Sequence, residues 1–379
     1  MRKIIPIAML LLVCFPSAFG NEAIIIGNVE GEGMLIYPSQ VEEGPDGNIY
    51  VYDMADSTIK VYSPDGKYLR RIGGQGQGPG EIQRADGVTF GFTEERNLFY
   101  SEYFGGHPWI TLVDLSGEFL KVKKIGIKER FGVDRAVSLP GDRFLIQFSF
   151  VGRPEKKKDY FLQRFPEELM TLDAEGKILS RIIRKSHYSR ISYYDQGADL
   201  GIPFIPVFVW SPFKNETVIF SDGLSTKLKV IDYDGKVVRE IETPLPEPEK
   251  VTKKDLARWK EWRKESFRDK TWYNRFGRVI EKYKKSIYEK RPNLSGIALT
   301  PEGNILVSGR WSEDEQNIKY WLLDEEGNSL AQITTEARNL RISKHYIFYG
   351  TTDEEENILA HCLKRGRSEK EDLLRISRR

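Results

Sequence analysis

Residues 45–66 decide the fold, and they read PDGNIYVYDMADSTIKVYSPDG. The segment contains two runs that alternate like strands, and an Asp-Gly turn stands near each end. Asp-Gly turns favour tight antiparallel hairpins, because glycine tolerates the left-handed backbone that such turns require. The segment therefore predicts neighbouring antiparallel strands.

The same pattern recurs along the chain. Residues 301–307 (PEGNILV) repeat the first turn and strand, and residues 319–327 (KYWLLDEEG) repeat the second strand and turn. Weaker copies lie at 96–99 with 115–117, 140–142 with 174–176, 214–215 with 233–235, and at 344–345. These copies make six units, each read as a four-stranded antiparallel sheet, and the third unit is longer than the others.

A four-stranded sheet cannot bury both of its faces alone, whereas radial stacking of six such sheets buries them. We therefore predict an all-β, six-bladed β-propeller; a two-sheet sandwich is the alternative. The apolar residues 23–26 predict that strand material from residues 23–37 closes the ring by pairing with the last unit, which removes exposed sheet edges.

Residues 44–51 with 59–62 and Gly66 resemble the repeat of NHL-type six-bladed β-propellers. The glycine-rich residues 72–81 resemble the connector that follows this repeat in secreted bacterial members of that group. The resemblance is strong over residues 38–83 and 295–328 and diffuse between them. It implies a propeller, export, and binding of ligands or proteins, and it implies no catalytic residue.

The glycine-rich connector is not a nucleotide-binding motif. Residues 74–79 lack the last glycine of a dinucleotide fingerprint and the Lys-Ser/Thr of a phosphate loop. We interpret the segment as a tight crossover between blades. The alternative is that its backbone amides bind a carboxylate or sulfate.

Composition sets the class of protein. The chain has 379 residues, of which 40% are hydrophobic, and its 58 basic and 56 acidic side chains give a formal net charge of +2. This composition excludes a disordered chain and a polytopic membrane protein, and the balanced charge gives no reason to expect nucleic-acid binding. We expect one propeller domain over residues 21–379, most simply as a monomer.

Residues 1–20 resemble a signal peptide. Arg2 and Lys3 precede an apolar stretch, and small residues stand near Gly20, where we expect cleavage. Val13 before Cys14 makes a lipoprotein signal unfavourable. We therefore expect a periplasmic or extracellular protein whose remaining cysteine, Cys362, forms no disulfide.

The segment 247–291, between the fourth and fifth units, interrupts the repeat. Residues 252–255 (TKKD) predict a helix start with a capping box, and apolar residues recur at helical spacing from 272 to 287. Residues 250–291 contain 16 Lys or Arg and 6 Asp or Glu. We expect a basic helical insertion that covers the channel mouth as a lid; the alternatives are contact with a membrane surface and a solvated spacer.

Connections between blades and between the second and third strands of a blade share one face of a propeller, around the channel mouth. The predicted ligand-binding residues on this face are Asp86, Tyr103, His107, Trp109, Arg135, Arg310 and Trp311. Arg153, Asp222, Asn339 and Asp353 are expected on the same side. Aromatic rings provide contact area and charges provide orientation in a binding mouth.

Motifs of common enzyme classes are absent from the sequence, and only four histidines occur. His107 and His187 are expected on the mouth side, one short of the three histidines of a common catalytic zinc site. We expect no cofactor and no catalytic metal, although a calcium site built from Asp86, Asp222, Asp353 or Asn339 would fit a propeller lactonase.

The sequence favours a non-catalytic envelope or secreted propeller that binds a small molecule, glycan or protein at the mouth. The alternatives are a calcium-dependent lyase or hydrolase of the six-bladed type and a purely structural scaffold. The ligand and the catalytic residues, if there are any, are not identified by the sequence.

Overall fold

The computed structural model describes residues 23–377 except 29, 84–86, 105–106, 128–130, 151–160, 194–197, 202–203, 267–288, 311–316 and 354–357. The described strands form six antiparallel sheets, which we number as blades 1 to 6. The predicted all-β, six-bladed propeller is confirmed.

The first three blades span residues 38–201. Blade 1 contains β2 (Pro38–Glu43), β3 (Ile49–Asp53), β4 (Thr58–Tyr62) and β5 (Tyr68–Gly73). Blade 2 contains β6 (Thr89–Phe92), β7 (Leu98–Phe104), β8 (His107–Val113) and β9 (Phe119–Lys124). Blade 3 contains β10 (Phe131–Leu139), β11 (Arg143–Phe150), β12 (Phe161–Leu172), β13 (Ile178–Tyr193) and β14 (Ala198–Gly201).

The last three blades include the first strand of the described chain. Blade 4 contains β15 (Val209–Phe213), β16 (Thr217–Ser221), β17 (Lys227–Asp232) and β18 (Val237–Glu242). Blade 5 contains β19 (Leu294–Leu299), β20 (Ile305–Gly309), β21 (Ile318–Leu323) and β22 (Ser329–Thr335). Blade 6 contains β23 (Arg338–Ile342), β24 (Tyr346–Thr352), β25 (Ile358–Lys364) and β1 (Ile24–Ile26).

The ring closes as the sequence predicts. Strand β1 pairs antiparallel with β25, with Ile24 opposite Cys362 and Ile26 opposite Ala360. Blade 6 therefore combines strands from both ends of the described chain.

Blade 3 differs from the predicted four-stranded unit. Strand β13 is 16 residues long, and β14 pairs antiparallel with its last residues as a fifth strand. The additional residues of the long third unit thus extend its outer strands, and part of them lies outside the described residues.

The repeated turn between the third and fourth strands reverses the chain and also contacts the preceding blade. In blades 2 to 5 its first residue, an Asp, accepts hydrogen bonds from the backbone amides two and four residues later; Asp324, for example, accepts from Glu326 (3.0 Å) and Asn328 (2.8 Å). Its glycine has a left-handed φ and touches the fourth strand of the preceding blade, or the residue that follows this strand. A Cβ atom on Gly327 would lie 2.1 Å from the Glu242 carbonyl oxygen, and one on Gly235 would lie 2.7 Å from that of Ile182. Glycine here permits both the turn and the close approach of neighbouring blades.

The described apolar core is divided among the interfaces between neighbouring blades. Each of six buried clusters joins two adjacent blades. Between blades 2 and 3, for example, the Phe99 and Phe144 rings meet edge to face at 5.2 Å. Between blades 6 and 1, Ile26 packs in the same cluster as Ile49 and Phe348. Burial of this apolar area stabilises the ring of blades.

Two helices are described. Helix α1 (Lys253–Ser266) lies between blades 4 and 5 and begins with the predicted capping box, because Asp255 accepts from Thr252 N (2.8 Å) and donates its own amide to Thr252 Oγ1 (3.2 Å). Most of the remaining predicted insertion lies outside the described residues, so the helical insertion as a whole stays a prediction. Helix α2 (Glu369–Ile376) packs on blades 5 and 6 through Leu373 and Ile376.

Candidate functional site

The first strand of each blade faces the propeller axis, as contacts between these strands show. The Gln40 side chain of β2 donates to the Phe90 carbonyl of β6 (2.8 Å) and accepts from its amide (3.1 Å). Arg341 of β23 forms an ion pair with Glu42 of β2. Polar side chains therefore line the channel as well as join the blades.

Arg135 lies midway along β10, next to a β-bulge that follows Val133. Its Nη1 donates to the Trp210 carbonyl of β15 at 2.5 Å, and its guanidinium carbon lies 4.6 Å from the centre of the Trp210 ring. Within the described part of the chain, it has no carboxylate partner. Burial above all, and then the charge of Arg341, lower the pKa of Arg135 to about 10, while Glu42 acts in the opposite direction.

Trp210 also orders a second donor. Its indole Nε1 donates to Gln147 Oε1 at 2.7 Å, and Gln147 stands directly opposite Arg135 in the sheet. An indole N–H can only donate, so the Gln147 oxygen must face it and the Gln147 NH₂ group must point away. Arg135, Gln147 and Trp210, which we call the donor triad, thus come from three strands of two blades.

A second polar group lies toward the mouth end of blade 3. Asp134, in the bulge, accepts a hydrogen bond from Ser149, and Ser149 stands opposite Glu167. Desolvation by the surrounding protein raises the pKa of Asp134 to about 6, although the hydrogen bond from Ser149 acts to lower it. Burial and then the Asp134 charge raise the pKa of Glu167 to about 7, and Glu167 Oε2 is buried without a hydrogen-bond partner among the described residues.

The adjacent Glu168, in the same strand, is a buried carboxylate that does have cationic partners. It is buried, and it forms ion pairs with Arg181 and Arg184. Asp134 and Glu167 have no such cation in the described ion pairs. Two carboxyl groups with raised pKa values could exchange protons with a bound molecule near neutral pH.

The structure places the predicted aromatic residues of blade 2 in strands and not in a loop. Tyr103 lies in β7, while His107 and Trp109 lie in β8. The Trp109 ring has Lys124 Nζ at 5.6 Å from its centre, and His107 Nδ1 is buried without a hydrogen-bond partner in the described residues. These three residues all lie in blade 2, and the ring of Trp109 contacts Lys124 of the same blade. Arg135 instead contacts Trp210 of blade 4.

Arg310 lies after β20 of blade 5, with its guanidinium carbon 5.6 Å from the centre of the Phe204 ring. Phe204 belongs to the connection between blades 3 and 4, so this contact crosses the mouth face. Asp86, Trp311 and Arg153 lie outside the described residues. Of the seven predicted binding residues, the structure thus places Arg135 in the channel and leaves the set as a whole a prediction.

Four backbone amides of the glycine-rich connector and the adjoining Ile82 find acceptors within this segment. Gly78 N donates to the Glu81 carboxylate at 2.6 Å, and the Glu81 carboxylate would collide with any Cβ on Gly76. Ile82 N donates to Gly74 O at 2.9 Å. The interpretation as a tight crossover accounts for these contacts, and the carboxylate that the Gly78 amide binds belongs to the connector itself.

The expected calcium ligands do not form a group among the described residues. Asp222 pairs with Lys185 at 3.3 Å, and no cluster of three His, Cys, Asp or Glu side chains suited to a metal occurs in the described part of the chain. Nor is any described helix long and apolar enough to span a membrane.

Sequence reasoning did not select Asp134, Gln147, Glu167 or Trp210. A signal was present for two of them, since Asp134 precedes Arg135 and Glu167 begins a charged pair inside the apolar run 165–172. The contacts of Trp210 with blade 3 depend on the packing of two blades, for which the local sequence contains no signal.

Comparisons with known proteins agree with the fold. Residues 32–95 match the family model DUF5128, described as a 6-bladed beta-propeller. No curated protein matches the sequence. A solved protein of Bacteroides fragilis NCTC 9343, whose name assigns it to export, is 12% identical with a TM-score of 0.50, and the alignment covers 91% of this chain and 95% of that one.

Two further solved structures are similar at lower scores. Virginiamycin B lyase from Staphylococcus aureus is 9% identical with a TM-score of 0.44, covering 91% of this chain and 99% of that one. The calcium-binding protein regucalcin from Agrobacterium tumefaciens is 10% identical with a TM-score of 0.46, covering 90% and 96%. At such identities a likeness concerns the fold and indicates no function.

Proposed function

We propose that this protein is an exported, non-catalytic propeller that binds a small molecule or a glycan in the mouth and channel of its ring. The observation that supports the proposal is Arg135, a half-buried cation in the channel wall whose side-chain hydrogen bond and ring contact among the described residues are both with Trp210, and which has no ion-pair partner there. Charges inside proteins are normally paired, because removing a charge from water is costly. A ligand that enters the channel would supply the missing partner.

Export is the second part of the proposal. The basic, then apolar, then small-residue order of residues 1–20 supports it, and so does the name of the Bacteroides fragilis neighbour. Cell fractionation with an antibody to the protein tests it: the expected location is the periplasm or the medium, and a cytoplasmic location would contradict it.

Binding is tested by thermal unfolding against a panel of sugars, sugar acids and small metabolites. A ligand that binds the native state raises the melting temperature. We expect at least one compound to stabilise the wild-type protein and to lose its effect with Arg135→Gln. Arg143→Gln is the control, because Arg143 pairs with Glu216 near the turn on the opposite face. If every stabilising compound acted equally on Arg135→Gln, the channel would not be the binding site.

A second candidate function, acid–base catalysis, is favoured by Asp134 and Glu167. A general acid or base works best when its pKa is near the working pH, and Glu167 has a pKa raised to about 7. This version of the lyase or hydrolase alternative needs no metal. It predicts that any compound converted by the wild-type protein is converted at least a hundredfold more slowly by Glu167→Gln, whereas a purely binding role predicts no conversion by either.

We also propose that the basic insertion acts as a lid over the channel mouth. Its two ends are joined where Val251 N donates to Glu289 O (2.6 Å) and Arg291 N donates to Glu249 O (2.8 Å). Residues 252–288 can therefore be replaced by a two-residue turn without stretching the chain. A lid predicts faster ligand exchange in this variant, a membrane contact predicts lost binding to anionic vesicles, and unchanged behaviour in both assays would leave the spacer.

A further inference from the structure

The donor triad presents hydrogen-bond donors to the channel and no unused acceptor of its own side chains. Trp210 Nε1 and Gln147 Oε1 satisfy each other, and the Trp210 carbonyl accepts from Arg135 Nη1. What remains without a protein partner in the described structure is the Nε–Nη2 edge of Arg135 and the NH₂ group of Gln147. An arginine donates in this way, edge-on, to the two oxygens of a carboxylate.

The geometry also keeps this edge in place. The Trp210 ring covers one face of the guanidinium, with the guanidinium carbon 4.6 Å from the ring centre, and the 2.5 Å hydrogen bond to the Trp210 carbonyl holds Nη1. Trp210 itself is fully buried, so it is a rigid support. A side chain that is already ordered loses little conformational entropy when it binds a ligand.

The charges in this part of the channel leave an excess of one positive charge. Arg135 and Arg341 are close enough for their charges to affect each other, and Glu42 is the acidic group that both of them sense. Glu42 is already engaged, because it accepts from Arg341 and from Gln40 Nε2 at 2.8 Å. It therefore neutralises one arginine and leaves Arg135 without a counterion.

We propose that the donor triad binds the carboxylate of a monoanionic ligand, with the two oxygens on Arg135 and one of them shared with the Gln147 NH₂ group. This inference rests on the proposed binding function and specifies its ligand class. A carboxylate matches the site because it only accepts hydrogen bonds and carries one negative charge. A neutral sugar would leave the charge of Arg135 unbalanced, and an ammonium ion would be repelled.

The test compares benzoate with benzamide, which has nearly the same shape but no charge, by saturation-transfer NMR and by thermal unfolding at constant ionic strength. We expect saturable binding of benzoate by the wild-type protein and by Arg143→Gln, and at least roughly tenfold weaker binding by Arg135→Gln and by benzamide. Arg135→Lys keeps the charge but not the bidentate edge, and it should weaken benzoate binding by a similar factor.

Gln147→Glu distinguishes loss of the binding site from loss of the fold. A glutamate oxygen can still accept from the Trp210 indole, so the fold should be kept, while the new carboxylate pairs with Arg135 and occupies the site. We expect this variant to unfold at the wild-type temperature or above it and to lose benzoate binding. Benzoate binding by Gln147→Glu at wild-type affinity would overturn the proposal.

Three other results would also overturn it: equal binding of benzamide, equal benzoate binding by Arg135→Gln, and tighter binding of inorganic phosphate than of benzoate. A neutral compound from the thermal-unfolding panel that binds only when Arg135 is present would remove the carboxylate assignment and keep the proposed function. The carboxylate site and the proposed binding function would both fail only if neither a carboxylate nor a neutral compound required Arg135 for binding.

Discussion

Lys123 is the fifth residue of the fourth strand of blade 2, a position that is isoleucine in three other blades. In the outermost strands of blades 1, 4 and 5 the equivalent buried residues are Ile72, Ile241 and Ile333. Lys123 is only 6% exposed, and its Nζ has no hydrogen-bond partner in the described structure and lies 5.0 Å from the centre of the Phe144 ring. Burial, followed by the charge of Lys121, lowers the pKa of Lys123 below its ordinary value of 10.5.

We predict that Lys123→Ile stabilises the protein by about 1–3 kcal/mol, because it removes a buried and unsatisfied amine. The gain should shrink as the pH rises from 7 toward 10.5. In that range the folded wild-type protein gives up its Lys123 proton before the unfolded chain does, so its own stability rises. Urea unfolding at several pH values measures both effects.

Lys364→Ile is the control, since Lys364 is an exposed lysine in a strand of blade 6, away from Lys123. It should change the free energy of unfolding by less than about 0.5 kcal/mol. A Lys123→Ile protein less stable than wild type would show that the amine has a favourable partner.

Asp53 fixes the segment that leads from β1 to blade 1. It is buried, and it accepts hydrogen bonds from Ile36 N (2.9 Å), Tyr37 N (2.8 Å) and Lys60 Nζ (2.8 Å). Lys60 is 3% exposed and also donates to Met34 O at 2.5 Å. The ion pair therefore carries hydrogen bonds that hold residues 34–37 in place.

We predict that Asp53→Asn costs about 2–3 kcal/mol, because Lys60 loses its buried counterion and keeps only the partly exposed Asp56, at 2.9 Å. Burial acts to raise the pKa of Asp53, but Lys60 and the backbone donors outweigh it and hold the pKa below 3.8. The difference between wild type and variant should therefore be complete above about pH 5 and decrease as the pH falls through the folded pKa. Urea unfolding from pH 3 to 7 measures it, with the exposed Asp234→Asn as control; a difference independent of pH would contradict the ionic explanation.

At the scale of the element, the Asp-Gly turn connects the blades as well as reversing the chain. Gly327 and Gly47 both have a left-handed φ, +94° and +80°, but their surroundings differ. A Cβ on Gly327 would meet the backbone of Glu242 in the preceding blade, whereas nothing lies within 4 Å of a Cβ on Gly47. The pair separates the conformational role of glycine from its packing role.

We predict that Gly47→Ala costs about 1–2 kcal/mol, the strain of a left-handed alanine. Gly327→Ala should cost at least about 2 kcal/mol more, because overpacking at a rigid contact adds its own penalty. Thermal and urea unfolding of the two variants give the comparison. Equal losses would mean that the blades can separate at this turn at no cost.

At the scale of the whole molecule, the repeated turns made the propeller predictable. In blades 1 to 5 the turn between the third and fourth strands carries its own chemistry, an Asp or Ser at the start and a glycine with positive φ, so these five copies could be read without knowing the ring. The pairing of β1 with the last blade was predictable for a related reason, because an apolar strand without a partner would leave a sheet edge open; of the residues 23–37 considered, only Ile24–Ile26 form this pairing.

The site was less predictable, because it is assembled across blades. Arg135 could be selected from its place in an inner strand, but its stacking on Trp210 depends on how blades 3 and 4 pack. Asp134 and Glu167 approach each other through a bulge, which inserts one residue and re-aims the side chains beside it. The sequence alone indicates neither the position of the bulge nor the distance between blades.

Ring closure yields the last prediction. Ile26 of β1 is 2% exposed and packs with residues of blades 1 and 6, whereas its neighbour Ile25 is 38% exposed. Ile26→Asp would bury a charge without a partner in the closing interface, and we expect it to cost at least about 3 kcal/mol. Ile25→Asp changes the same strand by the same chemistry on its solvent side, so it should cost less than about 1 kcal/mol. The chain leads from β1 to blade 1, and β1 is held in blade 6 only by its pairing with β25 and its packing. Loss of this contact opens the ring, so it should lower the unfolding transition of all blades together, as observed by circular dichroism and by tryptophan fluorescence. Separate transitions by the two probes, or equal stability of the two variants, would show that the ring holds without β1.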